Sequence, residues 1–187
     1  MTKQKLTDLT DISSGLFLKT DFSANTVYIQ SKHFDRNGKP QYNWENEVNC
    51  DENLYSHFLQ PGNVIYAAKG SKNFAYAIPP NFPRAVASTT FFVLKIKNRL
   101  IDPDYLCWFL NKDETQKFAK LRSKGTAIPS ISKTDMEEIL IPVPGIEKQK
   151  IILQLEGLRN KALKIRNEVT EKEAMIFNYR INKFLKI

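Results

Sequence analysis

Cysteine and histidine are scarce in this chain of 187 residues, which holds two of each. Cys50 and Cys107 are far apart in the sequence, and neither has a second thiol or a histidine at a spacing typical of metal ligands. His33 and His57 stand equally alone. We therefore expect two reduced thiols and no metal site.

Long apolar segments are also missing. No run of 18 apolar residues occurs, and Met1 is followed by the polar stretch TKQKLTDLTD rather than by a signal sequence. Hydrophobic residues nevertheless make up 42% of the chain and charged residues 26%, which allows a packed core and excludes a disordered protein. We expect a globular, cytoplasmic protein.

Three motifs of DNA-modifying chemistry do not occur. No two glycines are separated by a single residue, so no Gly-x-Gly loop is available to hold a cofactor phosphate. No acidic residue is followed two positions later by lysine, as a common nuclease motif requires. The Pro-Pro pair, within residues 78–81 (IPPN), lacks the flanking residues of adenine methyltransferases. We expect no catalytic site and no cofactor.

Acidic residues are rare in the middle of the chain. From Lys69 to Lys133 there are twelve basic and four acidic residues, whereas residues 45–52 carry four acids and no base. The net charge is +8 and the isoelectric point is near 9.4. This asymmetry favours a nucleic-acid partner, although solvated surface lysines give similar counts in proteins that bind nothing.

The first three quarters of the chain alternate between apparent strands and loops. Runs rich in β-branched and aromatic residues predict strands at 26–30, 63–70 and 89–96. Residues 6–12 form a short element of apolar and polar residues. We expect a turn at Ser13 to Gly15 to follow it. Residues 35–41 contain Asn-Gly and proline and predict a loop.

Helical spacing begins after Asp102. A helix that begins near Pro103 places the proline in its first turn, where the missing N–H is tolerated, and Gly125 ends the helical stretch, in which Tyr105 and Leu121 lie on the apolar side. A short helix or strand edge then begins at Ser132 or Thr134. The segment PVPG at 142–145 separates a domain at 1–144 from a long helix at 145–187. The fold class is α+β.

The last quarter carries an apolar seam. Its residues recur at alternating steps of four and three, the spacing of a coiled-coil strand. About 40 residues at 1.5 Å each give a rod of roughly 60 Å, so we expect a partner helix. The alternative is a terminal helix that folds back on its own domain. The predicted dimer seam is Ile151, Leu155, Leu158, Ala162, Ile165 and Val169.

Four stretches in order resemble the type I restriction-modification specificity (S) subunits: LQPGNVIYAAKGS, AVASTTFFVLKI, IDPDYLCWFLN and KGTAIPSISKTDMEEILIPVPGIEKQKII. The last is the most specific. It combines a Gly-Thr-x-x-x-x-Ile-Ser pattern, an Ile-Pro-x-Pro hinge at 141–144, and a helix that opens with Glu147-x-Gln149.

The resemblance implies a DNA-reading adaptor without its own chemistry. A mixed α/β target-recognition domain would precede a conserved spacer helix that docks methyltransferase subunits, which methylate adenine, and through them restriction subunits. S subunits of full length have two such domains and two helices, so this chain looks like half a subunit. A second copy would give an inverted-repeat bipartite target, and a different half an asymmetric one.

For DNA contacts we predict amide, hydroxyl and basic side chains in the loops, because phosphates attract Lys and Arg and base edges bind amides and Arg. Gly70, Gly125, Pro142 and Pro144 are expected to shape the backbone instead. The predicted DNA-contacting residues are Asn37, Lys39, Gln41, Asn43, Lys69, Ser71, Lys72, Asn73, Arg84, Arg122, Lys124 and Thr126.

Two other readings remain open at the level of sequence. One is a basic coiled-coil interaction module that does not bind DNA. The other is a DNA-modifying enzyme with an unrecognised site, which would methylate or cleave DNA alone. Neither the DNA target nor the identity of the partner chain follows from the sequence.

Overall fold

The computed structural model describes residues 2–21, 23–35, 38–41, 43–70, 73–125 and 129–185. The chain divides into two compact units, Met1–Gln149 and Lys150–Ile187, which we call the globular unit and the helical unit. The candidates Asn37, Ser71, Lys72 and Thr126 lie outside the described residues.

Short strands make up much of the globular unit. Their short length fits a chain in which turn-forming residues interrupt each apolar run. The strands are β1 (Lys3–Lys5), β2 (Thr10–Ser14), β3 (Thr26–Ile29), β4 (Asn46–Val48), β5 (Val64–Ala67), β6 (Ala75–Ala77), β7 (Ala85–Ala87), β8 (Phe91–Ile96) and β9 (Leu140–Pro142).

Helices follow the last long strand, apart from one N-terminal turn and two 3₁₀ segments at Ser31–His33 and Glu52–His57. The helices are α1 (Leu6–Leu9), α2 (Pro103–Leu110), α3 (Asp113–Arg122), α4 (Lys133–Glu137) and α5 (Ile146–Leu185). The mixed α/β part followed by a long C-terminal helix confirms the predicted α+β fold class.

Two sheets enclose the main core. The strand order β2-β8-β5-β6 is antiparallel throughout, with Ile65 of β5 opposite Val93 of β8. In the sheet β4-β3-β7, β3 is antiparallel to β4 and parallel to β7. Side chains from both sheets, among them Ile29, Ile65 and Val93, form one buried apolar cluster, which Phe34 and Phe74 from the adjoining loops complete. A smaller cluster around Tyr28 and Val86 covers the other face of β3 and β7.

The predicted helix starts are confirmed. α2 begins at Pro103, and the Asp102 carboxylate caps it by accepting from the Asp104 N–H at 2.8 Å. α4 is capped by Ser132 rather than by Thr134, because the Ser132 hydroxyl accepts from the Asp135 N–H at 3.1 Å.

The single helical stretch predicted after Pro103 is in fact two helices. Asn111 ends α2, and its side chain forms two hydrogen bonds with the backbone of Ala75 in β6, at 2.8 and 2.9 Å. These bonds tie the break between the helices to the edge of a sheet. Leu121 was also misplaced: it is 86% exposed, because α3 turns its apolar side elsewhere, with Ala119 buried.

The N-terminal prediction was wrong in detail. Residues 6–12 contain both α1 and the first part of β2, and the strand continues through Ser13 and Ser14. Its pairing with β8 extends to Ser14 opposite Phe92 and so overrides the expected turn. Strands β6 and β7 were not predicted from the sequence.

The start of α5 is held inside the globular unit by Gln149, which is completely buried. Its side-chain oxygen accepts from the Asp102 N–H at 2.8 Å, and its amide donates to the carbonyls of Leu100 at 2.8 Å and Pro144 at 2.7 Å. Three charge-neutral hydrogen bonds satisfy a polar group that would otherwise be costly to bury. Gln149 therefore fixes the first turn of α5 against the loop before α2.

Candidate nucleic-acid interface

Two loops that are distant in sequence meet at Ser130. Lys69, which follows β5, and Lys124, which follows α3, both form isolated β-bridges with Ser130. The Gly70 N–H also donates to the Pro129 carbonyl at 2.9 Å. Both lysines are exposed. The backbone pairing thus places two cationic side chains on the same stretch of surface.

Glycine allows both loops to bend. Gly70 has a φ of 120° and Gly125 a φ of 107°, values that disfavour residues with a Cβ. The prediction that these two glycines shape the backbone is confirmed.

The loop that contains Lys39 lies against the hairpin that contains Lys69. A Cβ at Gly38 would come within 2.7 Å of the Phe74 ring, and the rings of Phe34 and Phe74 are 5.0 Å apart. Phe74 immediately follows Asn73 in the β5–β6 hairpin. Three loops therefore adjoin one another, and we call residues 38–41, 69–70, 73, 124–125 and 129–130 the three-loop surface.

The predicted contact residues on this surface differ in how their side chains are engaged. Lys39 and Gln41 are exposed, as is Asn43 just beyond the first loop. Asn73 donates from its side-chain amide to the Ala67 carbonyl at 2.8 Å, a bond that stabilises the hairpin. Lys39 is oriented by its backbone, since its N–H donates to the Asp35 carboxylate at 2.8 Å.

His33 is hydrogen-bonded to the loop at residues 38–41. The His33 carbonyl accepts from the Gln41 N–H at 2.9 Å, and its Nδ1 accepts from the Gln30 N–H at 3.2 Å. This arrangement leaves the proton on Nε2, which faces the Glu47 carboxylate at 3.3 Å. Burial lowers the pKa of His33, although Glu47 acts in the opposite direction. The fold therefore favours the neutral imidazole.

Arg122 lies close to the three-loop surface, but its guanidinium already contacts other side chains. It ends α3, two residues before Lys124, and its Nη1 is 3.4 Å from the Asp135 carboxylate. Its guanidinium is also 5.4 Å from the centre of the Phe118 ring. Such an exposed ion pair contributes about 0–1 kcal/mol, so a phosphate can compete for the guanidinium.

Arg84 is not brought together with the others. Arg84 immediately precedes β7. The three-loop surface lies near the other end of that strand, where the Thr90 carbonyl accepts from the Lys69 N–H at 3.3 Å. The Arg84 Nη2 donates to the Cys50 carbonyl at 2.9 Å, and its guanidinium lies 4.3 Å from the centre of the Phe58 ring. These contacts join the loop after β4 to the start of β7.

Sequence reasoning did not identify Leu121 as a surface residue or Gln149 as a buried one. Leu121 lies between Lys120 and Arg122 and adds an exposed apolar side chain beside the basic loops. Its signal was misread because helical spacing does not tell which side of a helix is covered. For Gln149, the available signal was its place in the Glu147-x-Gln149 motif at the start of the long helix.

The helical unit carries the predicted seam. Its six residues all lie on α5, and the larger ones are exposed, Leu158 by 62%. Exposed apolar residues at coiled-coil spacing need a cover in solution.

Neither a metal site nor a membrane span is found in the part of the chain that the structure describes. No group of three or more His, Cys, Asp or Glu side chains is placed to hold a metal ion there. No helix among those residues is long and apolar enough to cross a membrane. Both cysteines are free, and burial raises the pKa of Cys107 to about 11.

The chain is similar to known proteins over most of its length. A family profile described as "Type I restriction modification DNA specificity domain" matches residues 1–172. Over 92 residues the chain is 35% identical to the type I restriction enzyme MjaVIII specificity subunit of Methanocaldococcus jannaschii, an alignment that covers 46% of this chain and 21% of that protein.

Two solved structures share the fold. One is the S subunit of a type I restriction-modification system from M. genitalium, with 15% identity and a TM-score of 0.57 over 87% of this chain and 40% of that chain. The other is the HsdS subunit from Thermoanaerobacter tengcongensis, with 18% identity and a TM-score of 0.64 over 89% and 44%. The chain therefore spans less than half the length of each of these three proteins.

Proposed function

Because the chain belongs to the type I restriction modification DNA specificity domain family, we propose that it is the DNA-reading component of a type I restriction-modification system. The observation that carries this proposal is the family match over residues 1–172. The three-loop surface supports it, because exposed Lys39, Lys69 and Lys124 lie on neighbouring loops of the globular unit.

These loops suit recognition of double-stranded DNA. Lysines on the surface would neutralise phosphates and supply affinity that falls with salt. The amides of Gln41 and Asn43 have the donors and acceptors that read base edges in the grooves. We propose that phosphate contacts position the unit and that the amide-bearing loop contributes to the choice of sequence.

The exposed seam of α5 suggests a dimer with two such units. Placed antiparallel on a second copy, with the two-fold axis level with Asn160, the seam of α5 is complementary to itself. The opposed pairs are Ile151 with Val169, Leu155 with Ile165, and Leu158 with Ala162. Every layer then contains two apolar residues, and the partner supplies the cover that the exposed seam needs.

Charge supports the same direction. In the antiparallel register residues 168–173, whose net charge is −2, lie level with residues 147–152 of the partner helix, whose net charge is +1; within these segments Lys172 is level with Lys148 and Glu173 with Glu147. In a parallel pair the acidic segments would face each other. An antiparallel dimer would carry its two recognition units at opposite ends and would read a bipartite target.

We propose no chemistry for this chain itself. Methyltransferase subunits would bind the dimer and methylate the target, and restriction subunits would join through them. In this scheme the chain supplies position and sequence choice, and the reaction belongs to its partners.

A mobility-shift experiment tests the proposal. The purified chain, together with a methyltransferase subunit of a type I system, is titrated onto labelled genomic fragments, and binding is competed with excess unlabelled DNA of random sequence. We expect a shift that survives the competitor on some fragments only. Failure to shift any fragment with the methyltransferase present would support the interaction module instead. Methylation or cleavage by the chain alone would contradict the adaptor role.

A further inference from the structure

Leu121 projects from the C-terminal part of α3 into solvent. Among the described residues of the globular unit, no large apolar side chain is more exposed than this one, at 86%. The buried residues of α3 are Thr115 and Ala119. At about 100° per residue, Leu121 points about 140° away from the direction midway between them. A single exposed leucine is common on protein surfaces, so its surroundings decide what it can do.

The surroundings of Leu121 are basic. Residues 117–124 (KFAKLRSK) contain four basic residues and no acidic one. The four are all exposed: Lys117, Lys120, Arg122 and Lys124. Their charge exceeds the partial charge of about −0.5 that the helix dipole places at this end. The acidic residues of α3, Asp113 and Glu114, lie in its first turn, roughly 10–12 Å from Leu121 along the axis. This charge distribution suits a polyanion at the C-terminal half of the helix.

The basic stretch continues into the three-loop surface. Lys124 forms an isolated β-bridge with Ser130, and so does Lys69. The Ser123 N–H donates to the Ala119 carbonyl at 2.9 Å, so the last turn of α3 extends almost to Lys124. A duplex bound by both lysines would therefore pass the C-terminal end of α3. The DNA of the proposed function is thus the occupant that this face requires.

The order of residues around α3 indicates which groove fits. Lys120 and Arg122 project about 100° to either side of Leu121. With Leu121 toward the floor of a groove, these two cations face its two walls, which are the phosphate backbones. A helix about 10 Å across fits the major groove, about 12 Å wide, and not the minor groove, about 6 Å wide. The apolar group on the floor of the major groove is the 5-methyl group of thymine.

We propose that the last two turns of α3 lie in the major groove of the target, with Leu121 against thymine 5-methyl groups and with Lys120 and Arg122 directed to opposite phosphate backbones. The inference rests on the proposed function and deepens it, since it names a chemical group by which the target is read. The Arg122 side chain is 60% exposed, so its pair with Asp135 can give way to a phosphate.

Removing the thymine methyl groups tests the contact. A fragment that the parent chain binds is prepared with thymidine and, separately, with deoxyuridine throughout, which differ only in the 5-methyl group. Fluorescence anisotropy gives the affinity for each fragment, with the methyltransferase subunit present. The proteins are the parent chain, Leu121→Ala and the matched control Leu100→Ala. Leu100 is 52% exposed and follows the end of β8 that is distant from Thr90. Alanine at position 121 preserves the helix.

We expect the parent chain to prefer the thymine fragment and Leu121→Ala to lose about fourfold of this preference for each methyl group covered, since burying one such group corresponds to about 0.8 kcal/mol. Leu100→Ala should keep the preference of the parent chain. Equal ratios of the two affinities in the parent chain and in Leu121→Ala would overturn the contact and leave the proposed function intact. If the parent chain binds no fragment, the proposed function fails, and the inference fails with it.

Charge variants test the contacts with the groove walls. Lys120→Ala and Arg122→Ala should each flatten the slope of log affinity against log salt by about 0.9, because each removes one phosphate contact, and both should keep the thymine preference. An unchanged slope in both variants would contradict the groove placement.

The alternative occupant of this face is an acidic protein surface. A pull-down with a tagged methyltransferase subunit compares the parent chain with Leu121→Ala. We expect both to be retained equally. Loss of the methyltransferase subunit, with unchanged affinity for both DNA fragments, would assign Leu121 to a protein contact and overturn the proposal.

Discussion

Replacing both Lys69 and Lys124 by alanine should weaken the dependence of DNA affinity on salt. The two lysines follow different elements, yet their backbones pair with the same residue, Ser130. In the proposed complex both would therefore present charge to one stretch of DNA. Both are exposed, and removing their side chains leaves the backbone pairing of the loops unchanged. The variant therefore alters charge without removing a buried contact.

The expected magnitude follows from the release of counterions. Each phosphate contact contributes about 0.9 to the slope of log affinity against log salt, so losing two contacts should flatten the slope by about 1.8. Between 50 and 200 mM salt, a fourfold change, the affinity of the double variant should fall about twelvefold less than that of the parent chain. Each single variant should lie midway.

Fluorescence anisotropy with a bound fragment, measured at four salt concentrations, gives the slope. Lys97→Ala removes the same charge at the opposite end of β8 and should leave the slope unchanged. Circular dichroism melting should show that the double variant folds like the parent. A slope that is equal in the parent chain and in Lys69→Ala/Lys124→Ala would refute the assignment of DNA binding to the three-loop surface.

Three further predictions concern the dimer and the stability of the globular unit. Asp at both Leu158 and Ile165 should halve the mass measured by light scattering, whereas Asn167→Asp on the outer face of the helix should not change it; an unchanged mass in the double variant would exclude the seam. Gln149→Leu leaves three backbone groups without their partner and should lower the free energy of unfolding by roughly 2–4 kcal/mol in urea titrations; a loss below about 0.5 kcal/mol would show that the buried bonds are not limiting. His33 has a lowered pKa in the fold, so its contribution to stability is complete above its ordinary value of 6.5 and is lost as the pH falls below it. His33→Gln should flatten the decline in melting temperature between pH 6.5 and 5, and an identical decline in both proteins would contradict the lowered pKa.

Local signals predicted the long elements of the fold. A run of β-branched and aromatic residues produced β8, and proline after an aspartate marked the start of α2. The spacing of apolar residues predicted the 40-residue helix α5. Each of these depends on neighbours within about two turns or one strand, so the sequence itself contains the information.

Contacts between distant segments were not predictable in the same way. The break at Asn111 arises from hydrogen bonds to Ala75, and helical spacing continues across it. Strands β6 and β7 have three residues each, too few for a periodic signal, and are defined by their pairing with β5 and β3. Helical spacing also gave no indication that Leu121 faces solvent.

The candidate site also combines features that local sequence predicts with features that depend on contacts between distant segments. Composition indicated a basic middle segment, but only the pairing at Ser130 brings Lys69 and Lys124 together. Arg84 was predicted from the sequence for the same reason, its basic side chain. Its guanidinium is instead bound to the Cys50 carbonyl and lies apart from the three-loop surface. Charge can be counted from a sequence, whereas its grouping requires the fold.

The central claim, that this chain selects DNA targets for adenine methylation, is tested most directly in the source genome. Methylated adenines are mapped at single-base resolution in the parent strain, in a strain without the gene, and in a strain that carries Lys69→Ala/Lys124→Ala in its place. We expect one bipartite motif to lose methylation on deletion and to be undermethylated in the variant, and an inverted-repeat motif would indicate two identical chains. Methylation that is unchanged at every motif after deletion would contradict the claim.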